Sequence, residues 1–483
     1  MSFFAKMVFS SCFLIQITHP RTTISSDLTV DPTEDFSPIS EQNVLLPQLV
    51  GFATSDYQNC GREIYKEFDA ASNWSVHECM LAQKKDHPLR THGLSGHGTQ
   101  LWNNLSEHIE LIKELEGNAF RFSVEWAIIE PRPGYISEKA LNHYEERINA
   151  LLDAGITPMI TLHHFTHPLW FEQMGGWTEE KNIAYFVRFC KLIFSRFKDK
   201  VELWIPINEI APFAFQGYCT GVFPPAVSNP WLAAKVVRNM LQAHCQVYDA
   251  LKMLDFENKC KIGFNHNYLH FETADTSSLA CLNLIEKVPT SFLNYVFNDA
   301  ILHFLKTGIL FPYNPFLRLT NKSAPLCFDF IGLNFYSRVL IKSDLYNAIR
   351  NLNPAQVAFP TGTPGEIMTD MPFPVSPESF YDGILAMGLL GVPLYITENG
   401  CPDTTDTYRP DYIRGYLAQV SRAMKHGIDI KGYFHWTLVD NFEWDHGYTQ
   451  QFGLCTYDEN TGTYVIKKSG FIFRDIISQA KRV

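Results

Sequence analysis

From Leu49 onward the apolar residues of this chain alternate between two rhythms. Short runs rich in β-branched and aromatic residues predict strands over Leu49–Thr54, Ala119–Ser123, Pro158–His163, Glu202–Asn208, Lys261–Asn265, Phe330–Tyr336, Leu394–Thr397 and Gly432–Thr437. Between them the spacing changes to three and four. Leu105, Ile109, Ile112 and Leu115 share one face of a predicted helix over Leu105–Leu115, and another helix is predicted over Tyr412–His426. Eight such alternations predict an α/β protein made of a single (β/α)8 TIM barrel, with the active site at the C-terminal face of the strands. A doubly wound sheet is the competing topology, but no G-x-G-x-x-G or Walker string follows a strand. Residues 55–100, 337–390 and 438–464 are long, polar and aromatic, and the alternation puts them on the C-terminal face, where functional loops belong.

The barrel is predicted over residues 46–483, behind an N-terminal extension, 1–45. Met7–Ile17 is an apolar run after Lys6, signal-like but too short to span a bilayer and without a clear small-residue cleavage site. Residues 18–45, rich in Thr, Ser, Asp and Pro, read as a disordered tail.

Charge narrows the function. The formal net charge is −11, from 51 acidic and 40 basic residues with no basic run, which argues against a nucleic-acid partner. The 11 cysteines, scattered from Cys12 to Cys455 with no C-x-x-C pair, form neither a disulfide framework nor a metal motif. They favour a reducing, cytoplasmic setting, with secretion through Met7–Ile17 as the alternative. No cofactor and no metal are expected, and no stable membrane span. The oligomeric state stays open. An aromatic content of 14% suits a neutral ligand such as a sugar held on ring faces, although most of these rings belong to the core.

The predicted strand ends carry the chemistry. In WIPINEI, Val201, Leu203, Ile205 and Ile207 lead to Asn208 and Glu209; in PLYITENG, Val392, Leu394, Tyr395 and Ile396 lead to Glu398. Either acid alone is more often a capping or loop-anchoring group than a catalyst. Delivered together at barrel strand ends, they suggest an acid and a nucleophile meeting across one pocket. Other strand ends are also polar or aromatic: Gln58 follows the first, Arg121 lies in the second, His163 and His164 end the third, Asn334 and Tyr336 the sixth. Trp436 ends the eighth, with Glu443 and Trp444 in its loop. Arg121 could instead be a core ion pair and Trp436 a core ring. Glu443, set between Phe442 and Trp444, is harder to explain as structural and suggests a polar ligand in an aromatic pocket.

The strings GFATSDYQ, FRFSVEW, TLHHFTHPLW, INE, FIGLNFYSR, YITENG and GYFHWTLVDNFEW followed by QFGL, in this order over roughly residues 47 to 478, resemble family 1 glycoside hydrolases, the retaining β-glucosidases and β-galactosidases. The resemblance implies that Glu209 is the general acid/base and Glu398 the nucleophile. It implies that Arg121 and Tyr336 contact the nucleophile, with Asn334 beside it, and that Asn208 bonds the sugar 2-OH. Gln58, His164, Glu443 and Trp444 would hold the hydroxyls of the non-reducing sugar, Trp436 would lie under its ring, and Phe452 would pack at the wall. The partner implied is a small β-glycoside or oligosaccharide. Retention requires one ionised and one protonated carboxyl about 5–5.5 Å apart; Arg121 would favour the first, and burial beside a like charge the second.

Several positions depart from the family pattern: Ile210 where Pro usually follows the acid/base, Phe165 for Trp, Pro206 for Thr, and Cys60 for an acid. The usual basic residue near 464–466 is missing. These departures bear on rate and aglycone preference. A sugar-binding or receptor-like barrel without turnover and a 6-phospho-β-glucosidase remain as alternatives. The first generally loses one carboxylate, and the second replaces the Glu443–Trp444 pair by Ser. A thioglucosidase usually has Gln where Glu209 stands. Transglycosylation shares the same intermediate and stays open, as do the aglycone and the choice among glucose, galactose and fucose.

Overall fold

The computed structural model describes residues 44–273, 287, 289–311, 314, 316–343, 357–358, 362 and 365–483. The signal-like run Met7–Ile17 and the tail up to residue 43 lie outside the described residues. Eight parallel strands close into a barrel: β1 (Leu49–Ala53), β2 (Ala119–Ser123), β3 (Thr157–Thr161), β4 (Leu203–Ile205), β5 (Lys261–Asn267), β6 (Phe330–Phe335), β7 (Leu394–Asn399) and β8 (Ile430–Trp436). They pair in sequence order, with β8 returning to β1. Helices α1 (Leu105–Glu114), α2 (Glu138–Asp153), α3 (Ile183–Phe197), α4 (Pro230–Lys252), α5 (Ala300–Thr307), α6 (Pro377–Gly388), α7 (Arg409–Lys425) and α8 (Lys468–Gln479) are the main helices among the described residues, one after each strand.

Each predicted strand exists, but the ends move. β3 stops at Thr161, ahead of His163 and His164, and β4 keeps only Leu203–Ile205, ahead of Asn208 and Glu209. β5 instead runs on to Asn267. Helix α7 starts earlier than expected, at Arg409, with Pro410 in its first turn, where a missing N–H costs nothing. Caps set other starts: Ser137 accepts from Ala140 N at 3.3 Å ahead of α2, and Asn229 accepts from Trp231 N and Leu232 N ahead of α4.

The barrel interior is packed rather than open. Ala53, Ala119, Met159, Leu203, Ile205, Phe330 and Phe434 are buried there, and Trp436 and Phe452 extend the same cluster. The outward strand faces and inward helix faces form the larger second core. Its apolar stripes include Phe186, Phe189, Ile193, Phe194 and Phe197 on α3. Leu45–Leu46 pair in parallel with Lys481–Arg482 at the expected start of the barrel domain. Among the described residues no helix is long and apolar enough to cross a membrane.

Candidate active site

Strand register builds the floor of the pocket. Asn267 on β5, Asn334 on β6 and Glu398 on β7 are lateral neighbours, and the β6–β7 register shifts between Leu333 and Asn334. Such an irregularity re-aims side chains. Gly400 follows at once, and a Cβ there would lie 1.8 Å from the Trp436 carbonyl oxygen, so only glycine lets the Glu398 segment pass so close to β8.

Arg121, fully buried on β2, ties the two carboxylate strands together. Its Nη1 donates to Glu398 Oε1 at 2.5 Å and to the Thr397 carbonyl at 3.1 Å, its Nη2 to Asn208 Oδ1 at 2.7 Å, and its Nε to Thr161 Oγ1 at 3.1 Å. Tyr336 Oη donates to the other Glu398 oxygen at 2.5 Å. Glu398 thus receives a guanidinium on one oxygen and a phenol on the other.

Glu209 sits differently. Its φ of 46° is left-handed, an uncommon conformation for a side-chain-bearing residue, and it turns the acid into the pocket. Its Oε1 accepts only neutral amide donors, Asn334 Nδ2 at 2.6 Å and Asn267 Nδ2 at 2.9 Å. Burial, and then the charge of Glu398, push its pKa up to about 8, against the smaller opposing effects of those amides and Arg121. One pocket therefore holds a carboxyl that keeps its proton at neutral pH beside one paired with a cation.

The remaining residues predicted to hold sugar line the same pocket. Gln58, on the short helix Asp56–Cys60 after β1, donates through Nε2 to Glu443 Oε2 at 3.2 Å and to the Phe442 carbonyl at 2.9 Å, and its Oε1 accepts from Ser55 Oγ. Burial pushes Glu443 up to about 8, and the nearby charges of Asp445, Glu398 and Glu209 push the same way. The Trp436 ring lies nearly parallel to His164 with centroids 5.8 Å apart, and His164 lies 6.2 Å from Trp444. Asn208 spends its Oδ1 on Arg121 and Asn334 (3.2 Å), while its Nδ2 lies 3.4 Å from His164 Nε2. Phe452 meets the Tyr336 ring edge-on at 5.9 Å. All twelve predicted site residues come together here, while His163 and His167 point away, into a chain running through Trp177 and Glu172.

Asn265 and Asn267 were missed by the sequence reading. Asn265 Nδ2 donates to Asn334 Oδ1 (3.0 Å) and Thr397 Oγ1 (2.6 Å), completing the amide web under Glu209. The signal was present: the N-H-N alternation places both amides on one face of a strand and His266 on the other, where it meets Asn298.

Three of the five departures from the family pattern find local answers. Cys60 lacks a carboxylate, but Asp56, one helical turn earlier, supplies one. Arg147 Nη1 donates to it at 2.8 and 2.9 Å, Tyr144 Oη at 2.8 Å, and Arg147 Nη2 reaches Cys60 Sγ at 3.8 Å. Phe165 packs its smaller ring on Trp444 at 5.4 Å and Phe223 at 5.8 Å. Lys467 pairs with Asp440, just past the strand pair Cys455–Asp458 and Thr463–Ile466.

A closed parallel barrel with two buried carboxylates of opposite character at its strand ends has the architecture of a glycoside hydrolase. The family model for glycosyl hydrolase family 1 matches residues 49–482. The 1,4-beta-D-glucan glucohydrolase of Thermotoga neapolitana is 31% identical over 397 residues, covering 78% of this chain and 86% of that protein. Beta-glucosidase A of Thermotoga maritima is 30% identical over 402 residues, with the same coverage. The solved structure of a beta-glucosidase from Thermotoga maritima in complex with glucoimidazole superposes with a TM-score of 0.78 at 26% identity, covering 91% of this chain and 99% of that one. The chain belongs to glycosyl hydrolase family 1. It is an O-glycoside hydrolase, a retaining β-glycosidase of the β-glucosidase type.

Proposed function

We propose that residues 46–483 form a catalytic domain that removes the terminal non-reducing glucose-type sugar from small β-glycosides by double displacement, with Glu398 as nucleophile and Glu209 as acid/base. The observation that carries this reading is the unequal treatment of the two carboxyls: a cation and a phenol on Glu398, neutral amides and a retained proton on Glu209.

In the first step Glu398 attacks the anomeric carbon as the bond to the leaving oxygen breaks, and Glu209 delivers its proton to that oxygen. Bonding consumes the charge of Glu398, the second cause that holds Glu209 protonated. Glu209 then accepts a proton from water as water attacks the same carbon, and the sugar leaves with its configuration retained. Arg121 and Tyr336 hold the two oxygens of Glu398, and Asn334 positions Glu209. Asn208, its Oδ1 already occupied, offers Nδ2 toward the sugar 2-OH. Gln58, Glu443, His164 and Trp444 grip the remaining hydroxyls, over a floor of Trp436 and Phe452. Sugar hydroxyls donating to Glu443 would favour its ionised form. The charges acting most strongly on it are acidic, which suits a neutral sugar rather than a phosphorylated one.

The test is kinetic. Purified enzyme should hydrolyse aryl β-glucosides with retention. Glu398→Ala should lose turnover, and added azide should restore bond cleavage, giving the α-glycosyl azide. Glu209→Gln should slow poor leaving groups by about 10²–10⁴-fold and good ones much less. Turnover retained by Glu398→Ala, or an equal loss across leaving groups for Glu209→Gln, would refute the assignments.

A further inference from the structure

Outside the barrel wall, on the flank of α2, lies a cavity of about 460 Å³ that the catalytic chemistry does not use. Small-ligand pockets typically span about 300–1,000 Å³. One side of the cavity comes from the loop between β1 and α1, with Glu67, Phe68 and Trp102. The other is one face of α2, where Lys139, Asn142, His143 and Glu146 follow at three- and four-residue spacing. These are the early turns of the helix that follows β2, so the cavity lies toward the same end of the barrel as the catalytic mouth. None of its residues belongs to the catalytic pocket.

Rings build its wall. His143 stacks on Trp102 with centroids 3.6 Å apart and planes at 15°, and Phe68 meets Trp102 edge-on at 5.8 Å. Arg147, fully buried, lies 5.8 Å from the Trp102 ring and donates to Asp56, on the short helix that carries Gln58. The wall is therefore braced from within by the Asp56–Arg147 pair.

Several polar groups around this wall have no use inside the protein. Among the described residues, nothing bonds to Trp102 Nε1, the His143 ring nitrogens, Asn142 Nδ2 or the Glu146 carboxylate. Asn142 is held by its other end, where Oδ1 accepts from Arg196 Nη2 at 2.9 Å. Burial, and then the charge of Arg147, push the His143 pKa down to about 4. At neutral pH its ring thus has one N–H to donate and one nitrogen to accept. Donors and acceptors stand side by side on an aromatic wall. A sugar offers the matching chemistry: hydroxyls that both donate and accept, and apolar C–H faces that pack on rings. Charged ligands fit worse. An anion would meet Glu146 and Glu67; a cation would meet Lys139, which already pairs with Glu67 at 2.5 Å.

We propose that this cavity is a second, non-catalytic sugar site, which binds a neutral mono- or disaccharide through Trp102, Asn142, His143 and Glu146. It stands independently of the roles given to Glu209 and Glu398.

The chain has nine tryptophans, few enough for their indole N–H signals to be followed singly by NMR on the full-length, ¹⁵N-labelled protein. His143→Leu removes the ring stacked on Trp102 and so identifies its signal. Thiocellobiose, whose sulfur link resists hydrolysis, should shift the Trp102 indole along its own saturation curve, apart from the shifts at Trp436 and Trp444 that report the catalytic pocket. Asn142→Ala with Glu146→Ala, both at exposed positions of α2, should weaken the Trp102 response about 10–100-fold, the scale of one hydrogen bond to a charged group. The same variant should leave the Trp436 and Trp444 responses, and kcat/KM for an aryl β-glucoside, unchanged. Spermidine should not move Trp102. A Trp102 signal that thiocellobiose does not move up to its solubility limit, that moves equally in the double variant, or that answers to spermidine instead would overturn the proposal.

Discussion

Holding a protonated acid in a buried pocket has a thermodynamic consequence that can be measured without substrate. An ordinary glutamate titrates at 4.5, and Glu209 in the folded protein at about 8. The difference corresponds to roughly 5 kcal/mol of preference for the protonated form in the folded state. Between these values the folded protein keeps a proton that the unfolded chain has released, so stability falls as pH rises from 4.5 to about 8, and the loss is complete above that. Glu209→Gln removes the titration but keeps a carbonyl to accept from Asn334 and Asn267. The variant should therefore gain on wild type steadily across this window. With an unfolding entropy of about 2 cal/mol/K per residue, a domain of this size shifts by about 1 °C per kcal/mol, so the gap in Tm should widen by about 5 °C between pH 4.5 and 8.5. Differential scanning fluorimetry in matched buffers at one scan rate measures it. A gap that stays constant with pH, or narrows, would show that Glu209 ionises normally in the folded protein and would undercut its role as a proton donor.

Asn267→Ala removes one of two amides on Glu209 and should lower kcat/KM for poor leaving groups about 10-fold, with a smaller loss for good ones; equal losses would mark Asn267 as merely structural. Glu443→Ser should weaken neutral β-glucosides about 10–100-fold in kcat/KM, the scale of one charged hydrogen bond, and 6-phosphoglucosides far less; full activity on neutral substrates would overturn the sugar-binding reading. Asp56→Ala leaves the fully buried Arg147 without its carboxylate, so it should destabilise by about 3–5 kcal/mol, with Asp56→Ala/Arg147→Met recovering much of the loss; an unchanged Tm in thermal melts would refute that pairing.

The barrel was legible because each strand is a short apolar run set off by loop-rich sequence, and all eight predicted strands pair in chain order. The positions that gather in the pocket were legible because strand ends in such a barrel converge whatever their separation in sequence. Three features were missed, each for its own reason. Asn267 was lost because β5 was ended at Asn265, one alternation short of where the pattern and the strand both end. The Asp56–Arg147 pair depends on two elements meeting in space; nothing in the sequence near either residue announces the other. The short hairpin at 367–375 between β6 and α6, in which Val375 N donates to the Ile367 carbonyl, is held through Ser337 and Thr404, one on each side of it in the chain, and no local pattern announces those contacts.

The short ribbon that joins Leu45–Leu46 to Lys481–Arg482 leads directly into the N-terminal end of β1. Both ends of the folded unit therefore meet on the side of the barrel opposite the mouth. A tag or tether joined at Val44 or Val483 would hold the enzyme by its back with the substrate entrance facing outward. Fusions at Val44 or Val483 are accordingly the natural handles for immobilising this protein without obstructing its access to substrate.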